Sequence, residues 1–203
     1  MSRIRDPFGQ ALEALRQSVA AGRHAPGRPI VIADEARTLH LSTTPVREAL
    51  CWLGGEGLVE RGGAGGFLAL RLDAASLGQR YGFRRLCLLE MTVRDPGEPP
   101  PGLITATSAA QRLAELWRWR VRSIGDIALY EAFASVQGRL ARFAGAEACV
   151  FPDLEVEAER MVSGRPDDAV GLIEAYHERR TAAAALLVLN AETEPLSPTG
   201  SEP

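Results

Sequence analysis

A short stretch of the chain, from Leu39 to Val59, places hydroxyl side chains and an arginine beside a turn between two predicted helices. Three hydroxyl residues begin the second helix and an arginine follows within its first turns: Ser42, Thr43, Thr44 and Arg47. In the major groove of DNA, arginine can pair with guanine through two N–H groups, and threonine can contact phosphate or a thymine methyl group. These residue types indicate recognition of DNA by the start of a helix.

The surrounding residues predict a helix-turn-helix followed by a β-hairpin wing. Apolar residues at helical spacing give the second helix one buried face: Val46, Ala49, Leu50 and Leu53. Ser42 is predicted to cap this helix, and Pro45 falls in its first turn, where a missing N–H costs little. The predicted helices are 7–21, 32–39 and 42–53, and the predicted strands are 58–60 and 67–70.

The glycine-rich segment between the two strands is predicted to form the wing. Glycine permits positive φ and a close approach of the backbone to phosphate. We therefore add Gly63 and Gly65 to the candidate DNA contacts, together with the nearby arginines Arg37 and Arg61.

The string PVREALxxLxxEGLV, Pro45 to Val59, resembles the signature of the GntR family of bacterial transcriptional regulators. Pro26-Gly27 and the glycines before Phe67 fit the same pattern. The resemblance covers about the first third of the chain and implies a winged helix-turn-helix in which Arg47 contacts DNA. The chain departs from the family at Thr43, where arginine is more frequent, and at Ala33-Asp34, near a contacting arginine of FadR-like members.

Charge is distributed unevenly, although the net charge of the chain is -3. Residues 1–71 carry nine arginines against seven acidic residues, whereas residues 72–203 carry fourteen against nineteen, and there is no lysine. The small basic excess falls in the predicted DNA-binding part.

No apolar run could span a membrane and no signal peptide is recognised, so we expect a cytoplasmic protein. The three cysteines are expected to be buried free thiols.

The rest of the chain predicts an all-α helical bundle, which makes the fold class mainly α. The predicted helices are 73–94, 106–121, 123–143, 152–163 and 166–189, with a stiff connection at 95–102. The domains are predicted to be 1–71, 72–190 and a disordered tail 191–203. Apolar residues on both sides of helix 73–94, and the helix around Trp117, predict a dimer through this domain.

Polar residues on two otherwise apolar helix faces form a candidate effector site: Asp126, Tyr130, Gln137, His177 and Arg180. Buried polar groups need partners, which can be each other, water or a ligand. Two interpretations remain open. Either these are satisfied core residues, or they line a metal-free pocket in which Arg180 and His177 hold a small anion.

The helical part also resembles the FadR-like (FCD) branch, although in a shortened form. In many members that domain dimerises, binds an effector and holds a metal through one aspartate and three histidines. The resemblance implies that Asp126 matches the metal aspartate, that Tyr130 and Glu155 replace two of the histidines, and that His177 lies near the last one. With three histidines in the whole chain, the donor set suits a transition metal poorly, so we predict no metal or other cofactor.

The leading hypothesis is a homodimeric transcriptional regulator, more often a repressor, that binds a palindromic double-stranded DNA operator and responds to a small anionic metabolite. The second hypothesis is a DNA-binding dimer that has lost effector sensing. A small enzyme that uses His177 as a base is the third, and it lacks any nucleophile motif or phosphate loop.

Overall fold

A computed structural model describes residues 6–63, 65–94 and 97–193. The chain divides into two compact units. The first contains the residues up to Arg71 together with the described residues 192 and 193, and the second spans Leu72–Ala191.

Three helices form the first unit. They are α1 (Pro7–Ala20), α2 (Ile32–Leu39) and α3 (Thr43–Gly55). The Asp6 side chain caps α1 by accepting a hydrogen bond from the Gly9 N–H at 2.9 Å. Between α2 and α3 the chain turns within three residues, and His40 adopts the left-handed conformation with φ of 53°. This tight connection makes α2 and α3 a helix-turn-helix, as the sequence predicted.

The wing is part of a three-stranded antiparallel sheet in the order β1-β3-β2. Its strands are β1 (Pro29–Ile30), β2 (Val59–Arg61) and β3 (Phe67–Ala69). The predicted two-stranded wing is confirmed as the antiparallel pair of β2 and β3, but the sequence did not predict β1, which pairs with β3 through Pro29–Leu68 and Ile30–Phe67. A two-residue strand is too short to show the alternation by which strands are recognised, and Pro29 is tolerated because β1 lies at the sheet edge.

The core of the first unit forms where α1, α3 and the sheet meet. The predicted apolar face of α3 is completely buried: Val46, Ala49, Leu50 and Leu53. It packs with Ala11, Leu15 and Val19 of α1 and with Ile30, Val59 and Phe67 of the sheet. The opposite face of α3 is left in solvent, so the core fixes the orientation of the residues that follow the turn.

Seven helices form the described part of the second unit. They are α4 (Ala74–Val93), α5 (Ala109–Ser123), α6 (Ile127–Ala141), α7 (Ala144–Val150), α8 (Leu154–Ser163), α9 (Ala169–Ala182) and α10 (Ala184–Thr193), with a 3-10 turn at Pro166–Asp168. Asp73, Ser108 and Asp126 cap α4, α5 and α6 with their side chains. The fold class is thus the predicted one, a winged helix-turn-helix followed by an all-α unit.

Three details of the second unit differ from the sequence predictions. A short helix, α7, lies between Arg139 and Glu155, in a segment where no separate helix was predicted. The predicted final helix is divided at Ala183 into α9 and α10. Residues 191–193 are helical rather than part of a disordered tail, and the remainder of that predicted tail, 194–203, lies outside the described residues. Alanine-rich sequence continues across Ala183, so local propensity gives no signal for this break.

Burial also corrects two expectations. Trp117 is buried inside the unit, so it cannot supply the unpartnered surface that it was expected to contribute. Only Cys87 is buried, whereas Cys51 and Cys149 are exposed free thiols.

One apolar side of α4, with Leu77, Leu88 and Met91, is buried in the core. Leu86 and Val93, on the other side of the helix, are exposed. No helix in the described part of the chain is long and apolar enough to cross a membrane.

The packing of α3 predicts a large cost for Leu50→Ala. Leu50 has no solvent exposure, so truncation leaves a cavity and should lower the free energy of unfolding by about 2–5 kcal/mol. Urea unfolding followed by circular dichroism measures this change. Leu186→Ala is the matched control, because Leu186 is 48% exposed and should cost roughly 0.5 kcal/mol. Equal costs for the two variants would contradict the described core.

Candidate nucleic-acid interface and buried polar cluster

The start of α3 presents its polar residues to solvent. Thr43, Thr44 and Arg47 are all exposed. Ser42 occupies the N-cap position, but its side chain makes no capping hydrogen bond. A cap normally accepts from the second or third helical N–H, and the third residue here is Pro45, which has none. The predicted capping role of Ser42 is therefore wrong, and its exposed hydroxyl is not committed to the end of the helix.

Two of the candidate arginines differ in how far their charge is already paired. Arg37 forms an ion pair with Asp34, with 3.0 Å between Nη1 and Oδ1. Arg47 pairs with no carboxylate in the described part of the chain, and it lies on the open face of α3. A cation without an internal partner is the better candidate for a phosphate or a guanine. The geometry thus favours Arg47 over Arg37.

Arg61 connects the wing to the open face of α3. Its Nη2 donates to the Cys51 sulfur at 3.6 Å, and its Cζ lies 5.9 Å from the centre of the Phe67 ring. The hairpin beyond it is closed by hydrogen bonds from the Gly62 N–H to the Gly66 carbonyl and from the Gly65 N–H to the Gly62 carbonyl. Gly65 has φ of 85°, which only glycine adopts readily.

An open cleft of about 900 Å³ runs along α3 beside Arg47. The cleft includes the predicted Arg47, but it is otherwise lined by residues that the sequence analysis did not select: Phe8, Glu48, Cys51, Trp52, Gly55 and Glu56. Trp52 is 57% exposed, and its indole N–H donates to the Glu56 carboxylate at 2.8 Å. The face of α3 that carries Arg47 is therefore accessible along its length.

The second unit contains a buried ionic cluster centred on Arg180, whose side chain has no solvent exposure. Its Nε donates to Glu147 Oε2 at 2.8 Å, and its Nη2 donates to Glu157 Oε2 at 2.7 Å. Burial alone would lower the pKa of Arg180, but Tyr176 and the two carboxylates raise it above its ordinary value. Arg180 is thus paired within the protein, whereas the sequence analysis had expected it to face a ligand.

The two tyrosines of the cluster also bind Glu147. Tyr81 donates to its Oε1 at 2.6 Å, and Tyr176 donates to its Oε2 at 3.0 Å. Burial, reinforced by the Glu147 charge, raises the pKa of both phenols. Both tyrosines are therefore neutral hydrogen-bond donors at neutral pH.

A second arginine, Arg84 of α4, holds the predicted residues His177 and Gln137. Its Nε donates to His177 Nε2 and its Nη1 donates to Gln137 Oε1, each at 3.0 Å. Because Nε2 accepts this bond, the imidazole proton is on Nδ1, which donates to the Ile173 carbonyl at 2.6 Å. Burial and the Arg84 charge lower the pKa of His177 to about 2, so the ring is neutral.

The structure does not bring the other predicted effector residues into this cluster. Asp126 caps α6 and forms an ion pair with Arg94 at 3.0 Å, while Tyr130 is only half-buried. Glu155 accepts from the Ala109 N–H and pairs with Arg112. Across the residues that the structure describes, no three histidine, cysteine or acidic side chains are grouped as a metal site.

Arg84 and Glu147 were missed by the sequence analysis. A signal for Arg84 was present, because Leu77, Tyr81, Leu88 and Met91 continue the buried face of α4 through position 84. An arginine on such a face has to be held by polar partners. Glu147 had no comparable signal, since α7 is only seven residues long and was not predicted.

A winged helix-turn-helix with an exposed recognition helix, followed by an all-α unit, is the class of structure that these observations define. Two examples among the proteins of known structure that share this fold are similar to the chain over most of its length. One, from Rhodococcus sp. RHA1 and assigned as a transcriptional regulator GntR, has a TM-score of 0.69 and 18% sequence identity and covers 89% of this chain and 98% of its own. The other, E. coli McbR/YncC, has a TM-score of 0.64 and 14% identity over the same shares.

No family model and no curated protein matches the sequence. At these identities the structural similarity demonstrates the fold alone. The first unit nevertheless has the winged helix-turn-helix that the PVREAL string implied, and the structural similarity extends over both units of the chain.

The neutral state of buried His177 predicts an acid-sensitive stability. Its pKa is depressed to about 2 in the folded protein and is about 6.5 in the unfolded chain. Below about pH 6.5 the unfolded chain therefore binds a proton on His177 that the folded protein does not, and the free energy of unfolding decreases as the pH falls. From pH 7 to pH 5 the loss from this group should be about 2 kcal/mol. Urea unfolding at both pH values should show that loss in the wild type but not in His177→Gln.

Leu187→Ala is the control for that measurement. Leu187 is fully buried and does not titrate, so its truncation should lower stability by a similar amount at both pH values. If His177→Gln loses as much stability on acidification as the wild type and Leu187→Ala do, His177 is not the buried neutral group described here.

Proposed function

We propose that this chain is a DNA-binding transcriptional regulator of the GntR type. In this proposal it binds a palindromic operator as a homodimer and acts as a repressor. The observation that carries the proposal is the exposed start of α3, where Thr43, Thr44 and Arg47 face solvent beside the wing. Among the described residues, Arg47 forms no ion pair with a carboxylate. Neighbours with the same two-unit fold, one of them assigned as a transcriptional regulator, support the proposal.

The DNA contacts divide into base-reading and phosphate-positioning groups. Arg47, with its fork of N–H donors, is proposed to read a guanine, and Thr43 and Thr44 to contact neighbouring bases or phosphate. Ser42, Arg37, Arg61 and the backbone of Gly63 and Gly65 are proposed to bind the flanking phosphates. Arg37 must first exchange its Asp34 partner for phosphate, so its net contribution should be smaller.

Dimerisation is proposed to use the exposed face of α4. An apolar stripe at helical spacing remains in solvent there, with Phe83 46%, Leu86 59% and Val93 81% exposed. Ile127, which is 74% exposed, follows Asp126, whose ion pair with Arg94 joins the start of α6 to the end of α4. A two-fold contact between two such stripes would bury surface that a monomer leaves in water.

A regulator that has lost effector sensing is the second candidate. The predicted ligand-binding groups of His177, Gln137 and Arg180 are held by protein partners, which favours a structural role for these three. An enzyme using His177 as a base is not supported, because both ring nitrogens are occupied and the side chain is 1% exposed.

Arg47→Ala should weaken binding to the operator by about 1–3 kcal/mol and relax the base preference at one position of each half-site. The operator is first obtained by selecting bound duplexes from a random DNA pool, and affinities are then measured by fluorescence anisotropy. Arg47→Lys distinguishes the kind of contact, since lysine keeps the charge but loses the fork. A phosphate contact should keep most of its affinity in Arg47→Lys, whereas a guanine contact made through the planar fork should lose much more.

Arg118→Ala is the matched control for this experiment. Arg118 is an exposed residue of α5 in the other unit, and its loss changes the net charge by the same amount. If the two alanine variants bind the operator equally well, Arg47 is not a DNA contact.

Val93→Glu should weaken the dimer at least about tenfold, because a two-fold interface brings the two new carboxylates and their desolvation cost into one contact. Sedimentation velocity of the full chain across a concentration series measures the change. Val156→Glu, on the 54% exposed Val156 of α8, is the control. Weakening by Val156→Glu alone would place the interface on α8 and contradict the proposed face.

A further inference from the structure

His40 is the single residue other than glycine with a positive φ in the part of the chain that the structure describes. Its φ of 53° and ψ of 41° define the left-handed helical conformation. That conformation brings the Cβ of an L-residue close to the following carbonyl oxygen, a strain that glycine avoids. Histidine tolerates it better than most residues do, but less well than glycine. The choice of histidine here therefore needs a reason beyond the course of the backbone.

The turn depends on the backbone of His40 and not on its side chain. The His40 N–H donates to the Arg37 carbonyl at 3.2 Å, and the Leu41 N–H donates to the Ala36 carbonyl at 2.9 Å. This pair of hydrogen bonds ends α2 in a Schellman motif, for which glycine is the usual residue at the left-handed position. Glycine would therefore make the same turn with less strain.

The imidazole of His40 has no partner within the described part of the chain. It is exposed, and no hydrogen bond, ion pair or ring contact involves it there. The other two histidines differ, since His24 contacts Ser18 and Glu35, and His177 is buried with both ring nitrogens bonded. The side chain of His40 is thus available to a partner outside the chain.

His40 lies at the point of the helix-turn-helix where a DNA backbone is expected to pass. In this motif the first helix crosses the phosphate backbone and the second enters the major groove. His40 follows the last residue of α2 and precedes Thr43, the first residue of α3, by three positions. The last turn of α2 and the first turn of α3 contain no acidic residue, so no carboxylate at either helix end would repel a phosphate.

We propose that the His40 imidazole donates a hydrogen bond to a DNA phosphate at the edge of the groove that α3 enters. Either tautomer of imidazole offers one N–H, and phosphate oxygens accept from neutral as well as charged side chains. A phosphate is favoured over a base because His40 precedes α3, whose first residues are the ones proposed to face the bases. His40 is thus a positioning residue that fixes how α3 enters the groove.

This contact rests on the proposed function, because its ligand is operator DNA. It adds a residue that the sequence analysis did not select among the candidate DNA contacts. It also accounts for the strain, since a glycine at this position would give the same turn but no donor.

His40→Gly is the decisive variant, because a structural role and a binding role predict opposite results. Removal of the strained Cβ should leave the melting temperature unchanged or raise it by about 2 °C. Loss of the donor should raise the dissociation constant for the selected operator at least about fivefold, measured by fluorescence anisotropy. Operator binding as tight as that of the wild type overturns the proposal.

Gly102→His is the matched control, because Gly102 has φ of 78°, lies in the other unit and has open space where a Cβ would lie. The same histidine in the same kind of conformation should lower the melting temperature by about 2 °C and leave operator affinity unchanged. A loss of operator affinity in Gly102→His equal to that in His40→Gly would show that the assay does not report a contact of His40, and this result also overturns the proposal.

Single neutral methylphosphonates, substituted one at a time along the operator, locate the contact. At one phosphate of each half-site the substitution should weaken the wild type at least about fivefold but should weaken His40→Gly no further, which is the coupling expected of two groups in contact. Arg47→Ala should keep the sensitivity of the wild type at that phosphate. Equal sensitivity of the wild type and His40→Gly at every phosphate contradicts the contact.

The results separate this inference from the function on which it rests. If the chain selects an operator and Arg47→Ala weakens the complex, but His40→Gly does not, only the His40 contact is overturned. If the full chain selects no DNA from the random pool, the proposed function is overturned and the contact with it.

Discussion

The complete burial of the Arg180 charge is the constraint on which the helical unit depends. A guanidinium without solvent is tolerated only when carboxylates and other acceptors surround it in good geometry. Arg180 meets this requirement by drawing Glu147 from α7 and Glu157 from α8 to α9. Removal of either carboxylate would leave part of the Arg180 charge unpaired. The cluster therefore holds α7, α8 and α9 together more firmly than apolar packing alone would hold them.

Arg84 extends the same arrangement to two further helices. Through His177 and Gln137 it connects α4 to α9 and α6, and its guanidinium lies against Trp117 of α5. Polar bonds and aromatic contacts around two arginines therefore join most of the bundle. Such a centre is sensitive to the loss of any single member.

The sequence was more informative about the first unit than about the second. Helix α3 could be predicted because its buried face, its start and its glycine-rich end are all encoded within about fifteen residues. The role of Arg180 could not be predicted, since its partners lie 33 and 23 residues away on helices whose approach is set by tertiary packing. Asp126 shows the opposite error, because helical spacing placed it on a common strip with Gln137 although it ends up as a cap.

The wing has a further thermodynamic consequence. Of its described glycines, Gly65 and Gly66 need positive φ, at 85° and 83°, whereas Gly63 has an ordinary φ and open space where a Cβ would lie. Gly65 and Gly66 thus fix the backbone of the hairpin, and a Cβ at Gly62 would lie only 3.2 Å from the Gly65 carbonyl oxygen. Gly63 mainly adds conformational freedom to the unfolded chain. Any surface that immobilises this hairpin must offset that entropy through main-chain contacts, since glycine offers no side chain with which to discriminate between sequences.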